Sequence, residues 1–145
     1  MRALIQRVAR AEVRVQGAPV GSIACGLLAL IGMQPHDDAA ACVRMVEKLL
    51  AYRVFGDDAG RMNRSLREVG GGLMLVSQFT LAADTRSGLR PGFSTAAAPE
   101  AAAALFANLV ELARDRWGEV ASGRFGAHME VELVNDGPVT FLLEV

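Results

Sequence analysis

The run Gly26-Leu27-Leu28-Ala29-Leu30-Ile31-Gly32 carries no polar side chain to turn toward water. A strand of that kind must be covered on both faces, so it predicts the centre of a sheet with material packed above and below it. A second buried strand, Leu73-Met74-Leu75-Val76, runs straight into Ser77-Gln78-Phe79-Thr80-Leu81. Two such strands in one chain predict a sheet-based core, and the rest of the sequence arranges itself around them.

Before the first run, Arg2 to Val15 has strand character, with Val13 and Val15 alternating against Glu12, Arg14 and Gln16. Gly17-Ala18-Pro19 predicts a turn and Val20 to Ile23 the returning strand. Pro35-His36-Asp37-Asp38 is a helix start, after which Cys42, Val46, Leu49 and Leu50 recur at helical spacing to about Tyr52. Phe55 to Met62 reads as a hairpin. Ser65 to Val69 leads to Gly70-Gly71-Gly72, which could cradle a phosphate but lacks the following helix or Lys, and so reads as a flexible turn. A second helix runs from Pro99 to about Trp117, with Leu105, Leu109 and Leu112 inward, Phe106, Val110 and Ala113 widening the stripe, and Gly118 as its stop. The expected fold is a mixed α/β (α+β) single domain over residues 1–145, an antiparallel sheet or partial β-barrel with two packed helices.

Composition removes several function classes. Of 145 residues 52% are apolar, yet no run of 18 uncharged apolar residues and no charged-then-apolar leader occurs, so a soluble cytoplasmic domain without a membrane partner is expected. Cys25 and Cys42 have no second Cys or His at ligand spacing, which gives neither a zinc site nor a disulfide framework and reads them as small buried residues. A net charge of -1 argues against a protein that coats nucleic acid, DNA included, while leaving room for a few local phosphate contacts. His36 and His128 both read as surface residues, and no serine elbow, metal-ligand pair or dinucleotide fingerprint is present. Neither a cofactor nor a metal is expected. An enzyme built from this sequence must work by positioning and backbone electrostatics.

Two stretches fit that constraint. Ser77-Gln78-Phe79-Thr80 puts polar groups at the end of a core strand: Ser77 and Gln78 offer hydrogen bonds, Phe79 can wall off a ring, and N–H groups at the strand end can hold a developing oxyanion. The Thr80 hydroxyl is a nucleophile only if a base activates it, and none lies nearby in sequence. The alternative is a strand end with one wet face. The second stretch is Asn135-Asp136-Gly137-Pro138-Val139-Thr140, between the alternating segment around Met129, Val131 and Leu133 and the apolar run to Leu143. It reads as a turn joining two strands. Gly137 lets backbone approach a ligand and Pro138 lacks an N–H, so the pair offers carbonyl acceptors on a stiff mount; if the bond is cis they point to one side and can grip an ammonium group. The alternative is a hairpin turn whose proline blocks edge pairing. The loop from Ala82 to Ala97, with Arg86 and Arg90, is the candidate for meeting an anionic ligand.

Ser77-Gln78-Phe79-Thr80-Leu81 together with Asn135-Asp136-Gly137-Pro138-Val139-Thr140 resembles the two signature motifs of the D-aminoacyl-tRNA deacylases. The similarity runs from Met1-Arg2-Ala3-Leu4-Ile5-Gln6-Arg7-Val8 through Gly32 and Met62-Asn63 to Phe141. The resemblance implies a homodimer that hydrolyses the ester between a D-amino acid, or glycine, and the terminal adenosine of tRNA. It implies that Gly137-Pro138 is a cis dipeptide that enters the other subunit's pocket, faces the substrate α-ammonium and excludes the L-configuration. Arg7 resembles the residue that steadies this element, and Phe125 and Met129 fall where pocket walls would lie. The mechanism favoured is substrate-assisted, with the ribose 2′-hydroxyl helping to activate water and the Phe79 N–H polarising the ester carbonyl. Thr80 as covalent nucleophile is the competing proposal. The sequence departs from the family at Ala82, where an aromatic is common, and at Ser87, Leu89 and Gly92, where the loop is less basic. A noncatalytic RNA-end binding module is the alternative from another class, and a metal-dependent esterase has no ligand set to support it.

Overall fold

A computed structural model describes residues 1–86 and 88–145. The central strand is where the sequence puts it. β3 (Gly26–Gly32) lies between β1 (Arg2–Val15), to which it is antiparallel, and β6 (Gly72–Ser77), to which it is parallel. β2 (Ala18–Ile23) pairs with the far half of β1, and β7 (Val120–Ser122) continues the parallel side beyond β6. The Cβ that Gly21 of β2 lacks would sit 2.9 Å from the Ser122 carbonyl of β7, so these outer strands nearly meet and the sheet curls into a barrel-like form. The sheet is mixed rather than antiparallel throughout: long connections carrying a helix precede both β6 and β7, and such connections allow parallel pairing.

Alternation along the strands divides the interior in two. Leu27, Ala29 and Ile31 of β3, with Leu73 and Leu75 of β6, face one core; Leu28, Met74 and Val76 face the other, inside the curl, with Val8, Val13 and Ile23. The first core is closed by α1 (Ala39–Ala51) and α3 (Pro99–Arg116). α1 begins where Asp38 accepts the Ala41 N–H at 2.8 Å, a cap worth about 1 kcal/mol. Its stripe of Cys42, Met45, Val46, Leu49 and Leu50 is fully buried, and each leucine there contributes about 2 kcal/mol, so packing outweighs the cap in holding the helix. On α3 the buried line is Ala102, Phe106, Leu109, Val110 and Ala113; Leu105 and Leu112 flank it only partly buried.

Several local readings are corrected. Ser65–Val69, to which the sequence assigned no element, holds a one-turn helix, α2 (Leu66–Val69), closed by a capping box between Ser65 and Glu68 and ended by Gly70 in the left-handed region at φ 65°. The glycine triplet is not a free turn. Gly72 opens β6 against Gly26, and a Cβ at Gly26 would collide with the Gly72 carbonyl oxygen, so the pair allows a close approach between parallel strands. Phe55–Gly56 (β4) and Met62–Arg64 (β5) form the expected hairpin, organised by Asp57, which accepts from the Ala59 and Arg61 N–H groups and from Asn63. Cys42 is buried but Cys25 is exposed, because it stands at the bend between β2 and β3. The tight turn after β1 falls on Gln16-Gly17, one residue earlier than expected, with Val15 opposite Ala18.

The largest departure is at the C-terminus. Residues Glu130–Glu144 are one strand, β8, antiparallel to β1 over almost its whole length, and not two strands joined by a hairpin turn. The register explains how a turn-like sequence fits inside a strand. Thr140 faces Gln6 and Asn135 faces Val8, so the four residues Asp136 to Val139 stand opposite Arg7 alone and must loop out of the ladder.

Candidate active site

The polar end of β6 forms a shelf seated on β3. The Gln78 N–H donates to the Ile31 carbonyl at 2.7 Å, and the chain then turns through a single 3-10 turn, Phe79–Ala82. Gly32 makes room for it: a Cβ there would lie 2.9 Å from the Leu81 Cβ and 3.2 Å from the Gln78 carbonyl oxygen. Arg2 holds the turn from the β1 side, donating through Nη1 to the Leu81 carbonyl at 3.2 Å, while its Nε lies 2.8 Å from Glu144 Oε1 in an ion pair without hydrogen-bond alignment. Ser77 and Gln78 are half-buried; Phe79 and Thr80 are exposed.

Two features of the shelf bear on chemistry. The first N–H groups of a helical turn have no partner within the turn, and those of Phe79 and Thr80 meet no protein acceptor among the described residues. The Thr80 hydroxyl, in turn, accepts from Gln78 Nε2 at 2.5 Å. A donor amide does not take up a proton, so this contact provides no base.

Around the shelf, Phe93 packs on Phe79 with ring centroids 5.2 Å apart. The Gly123 N–H donates to the Leu75 carbonyl, which ties the segment after β7 to the end of β6. Met129 packs where a Cβ on Gly123 would be, over the same spot that Val76 borders. Phe125 lies 6.2 Å, centroid to centroid, from Phe106 of α3. In the loop, Asp84 pairs with Gly92 through both backbone groups and grips Arg86 in a fork, Nε to Oδ1 and Nη2 to Oδ2 at 2.9 Å each. Those bonds hold the Asp84 carboxyl far below the usual carboxylate range. Arg90 is exposed with no ion-pair partner among the described residues.

The second motif is built differently. Gly137–Pro138 is a cis bond at the crest of the β8 excursion, and both residues are exposed. Arg7 Nε donates to the Asp136 carbonyl at 2.8 Å and Arg7 Nη1 to the Val54 carbonyl at 2.6 Å. A Cβ on Gly137 would collide with the Val139 nitrogen, which restricts the position to glycine. Val139 itself returns to the first core.

Within one chain the two motifs stand apart. Ser77 lies opposite Ile31, which lies opposite Ala3, whereas the excursion is level with Arg7. Followed along the curled sheet, four residues of β1 and three strand spacings amount to about 20 Å. Met129 borders Val76 at the end of β6 and Phe125 packs on Phe106 of α3; Arg7, Gly137 and Pro138 form a separate group. Arg2 and Gly32 complete the shelf without a mark in the sequence, since an arginine at a strand start and a glycine at a strand end signal nothing by themselves. His36 and His128 are exposed and neither bonds to the shelf. Among the described residues no three His, Cys, Asp or Glu side chains gather as a metal site.

A family profile described as D-Tyr-tRNA(Tyr) deacylase matches residues 4–144. The chain belongs to the D-Tyr-tRNA(Tyr) deacylase family. It is 67% identical to a D-aminoacyl-tRNA deacylase of Azotobacter vinelandii over 144 residues, 99% of each chain. It is 65% identical to a D-aminoacyl-tRNA deacylase of Ectopseudomonas mendocina over the full length of both. Among solved structures, one titled c-Myc DNA Unwinding Element Binding Protein superposes with a TM-score of 0.95 at 36% identity, covering 100% of this chain and 99% of that one. A structure titled as a probable eukaryotic D-amino acid tRNA deacylase gives 0.88 at 18% identity over 99% and 98% of the two chains, a likeness of fold. Shelf and excursion are thus features of a deacylase-family chain. No helix among the described residues is long and apolar enough to cross a membrane.

Proposed function

We propose that this chain is a D-aminoacyl-tRNA deacylase, hydrolysing the ester between a D-amino acid, or glycine, and the terminal adenosine of tRNA to release free amino acid and tRNA. The observation that carries the reading is the coexistence, in a chain of this family, of a strand-end shelf with unpartnered N–H groups and an exposed Gly-Pro backbone element. The Phe79 N–H is the donor to the ester carbonyl oxygen, where negative charge develops as water adds. Thr80 is held by Gln78, which gives it no base, so the role of activating water falls to the ribose 2′-hydroxyl of the substrate. An aminoacyl ester is reactive already, and a preset donor with good positioning suffices.

Handedness is read by Gly137 and Pro138, whose carbonyl oxygens accept from the α-ammonium of the D-substrate and leave no room for the L-configuration. Arg7 steadies that element, and Phe125 and Met129 wall the pocket. A filter made of backbone senses the groups common to all amino acids and is indifferent to the side chain. The spacing of about 20 Å within one chain supports a homodimer in which the Gly-Pro element of one subunit enters the pocket of the other. Arg86 and Arg90 are candidates for phosphate contact with the acceptor end, in the cytoplasm where charged tRNA is found.

The test is deacylation of D-Tyr-tRNA against L-Tyr-tRNA, with the mass of the protein in solution measured alongside. Turnover of the D form alone, by a dimer, supports the reading. Binding without hydrolysis supports a noncatalytic RNA-end module instead.

A further inference from the structure

The excursion of β8 is closed by one side chain. Asn135 Nδ2 donates to the Arg7 carbonyl at 3.2 Å and to the Val139 carbonyl at 2.9 Å, and Asn135 Oδ1 accepts the Val139 N–H at 3.1 Å. These bonds span the loop, tying its last residue to the residue just before the loop and its base to the neighbouring strand. The four residues from Asp136 to Val139 have lost their ladder pairing with β1, and this amide replaces it. Its Oδ1 also lies within 2.5 Å of where a Gly137 Cβ would be, so it packs directly beneath the Gly-Pro pair.

From this we infer that Asn135 is a positioning residue for chiral selection: it fixes the direction of the Gly137 and Pro138 carbonyls without touching the substrate. The inference rests on the proposed deacylase reading. The chemistry of the site demands an amide. Two carbonyl oxygens and one N–H converge on the side chain, a set that needs two donors and one acceptor on a short stem, and asparagine alone supplies that. Aspartate keeps the size and the acceptor but presents lone pairs to two carbonyl oxygens; alanine removes all three bonds.

Asn135→Ala and Asn135→Asp are compared with the unaltered protein in single-turnover hydrolysis of D-Tyr-tRNA and L-Tyr-tRNA, each protein's melting temperature being recorded. Both variants are expected to lower the ratio of D to L rates by at least about tenfold, with aspartate no better than alanine despite its shape. A purely structural role moves both rates together and leaves the ratio unchanged, and that result overturns the inference. If the alanine variant does not fold, the isosteric aspartate variant decides by the same ratio, and Asn135→Ser, which keeps a hydroxyl at the site, decides if aspartate also fails. An unaltered protein that hydrolyses neither substrate refutes the deacylase reading. An unaltered protein selective for the D form, beside variants of equal selectivity, refutes only the role of Asn135.

Discussion

Arg7 and Asp136 meet twice: Arg7 Nε donates to the Asp136 carbonyl oxygen at 2.8 Å and lies 3.0 Å from the Asp136 carboxylate. The other end of the guanidinium is committed to the Val54 carbonyl, so the group is a strut between the chain leading into the β4–β5 hairpin and the β8 excursion. The arginine side chain is only 17% exposed, and its removal strands two carbonyl groups in a partly covered setting. Arg7→Ala is expected to lower unfolding stability by about 2 kcal/mol, read from urea denaturation. Arg7→Lys, a point charge on a single nitrogen, cannot span both carbonyls and is expected to recover less than half of that loss.

Thr80→Ala is expected to retain deacylation of D-Tyr-tRNA within about tenfold of the unaltered rate, since the Thr80 hydroxyl accepts from Gln78 and has no base beside it. Single-turnover rates are the measure. Abolished hydrolysis in a folded variant that still binds tRNA would establish Thr80 as the nucleophile.

The strands at the centre of the sheet were legible because Gly26–Gly32 and Leu73–Val76 have no polar side that would permit any other placement. The two long helices were legible from caps and spacing, Asp38 and Pro99 above all. The shelf was legible as an abrupt change from apolar to polar residues at the end of β6. What was hidden depended on pairing across the sequence. Asn135 to Thr140 has the residue types of a turn, and only the presence of β1 alongside, bonded on both sides of the interruption, turns it into an excursion within one strand. The parallel β3–β6 pairing was hidden for the same reason: Gly26 and Gly72 are unremarkable until they face each other.

Arg86 and Arg90 are not equivalent toward phosphate. Arg86 is neutralised by the fork with Asp84, whereas Arg90 has no such partner among the described residues. Arg90→Ala is expected to weaken tRNA binding and to reduce the slope of log affinity against log salt by about 1, with a smaller change for Arg86→Ala. Asp84→Asn frees Arg86 and is expected to steepen the slope. Filter binding over a salt series measures all three.

The capping box of α2 gives stability a pH dependence. The Ser65 hydroxyl and N–H both donate to Glu68 Oε2, and these bonds hold the Glu68 carboxyl below its usual range. A carboxyl depressed in the folded state adds stability above its unfolded pKa, and that increment is lost as pH falls through the folded value. The urea midpoint of the unaltered protein is expected to fall between about pH 5 and pH 3, and Glu68→Gln to fall less steeply over the same window. Equal slopes would show that other carboxylates carry the effect.

Gly32→Ala separates support of the shelf from support of the fold. The added methyl would meet the Leu81 Cβ and the Gln78 carbonyl, both in the shelf, while the Gly32 pairing with Arg2 at the end of β1 is undisturbed. Among the described residues the side-chain hydrogen bonds on the far side of the 3-10 turn come from Arg2 and from Thr95, which donates to the Ala82 carbonyl, so the turn can give way by a few tenths of an ångström. In the proposed mechanism such a shift moves the Phe79 N–H off the ester oxygen, and an oxyanion donor displaced from its target forfeits much of its stabilisation. The expected outcome is a stability loss of about 1 kcal/mol in urea denaturation beside a fall in single-turnover rate of at least about tenfold. Gly26→Ala is the control: its methyl meets the Gly72 backbone inside the sheet, so stability is expected to fall by about 3 kcal/mol, with the folded fraction accounting for whatever activity is lost. Should Gly32→Ala lose activity only in proportion to its folded fraction, the 3-10 turn is not the part of the site that sets the rate.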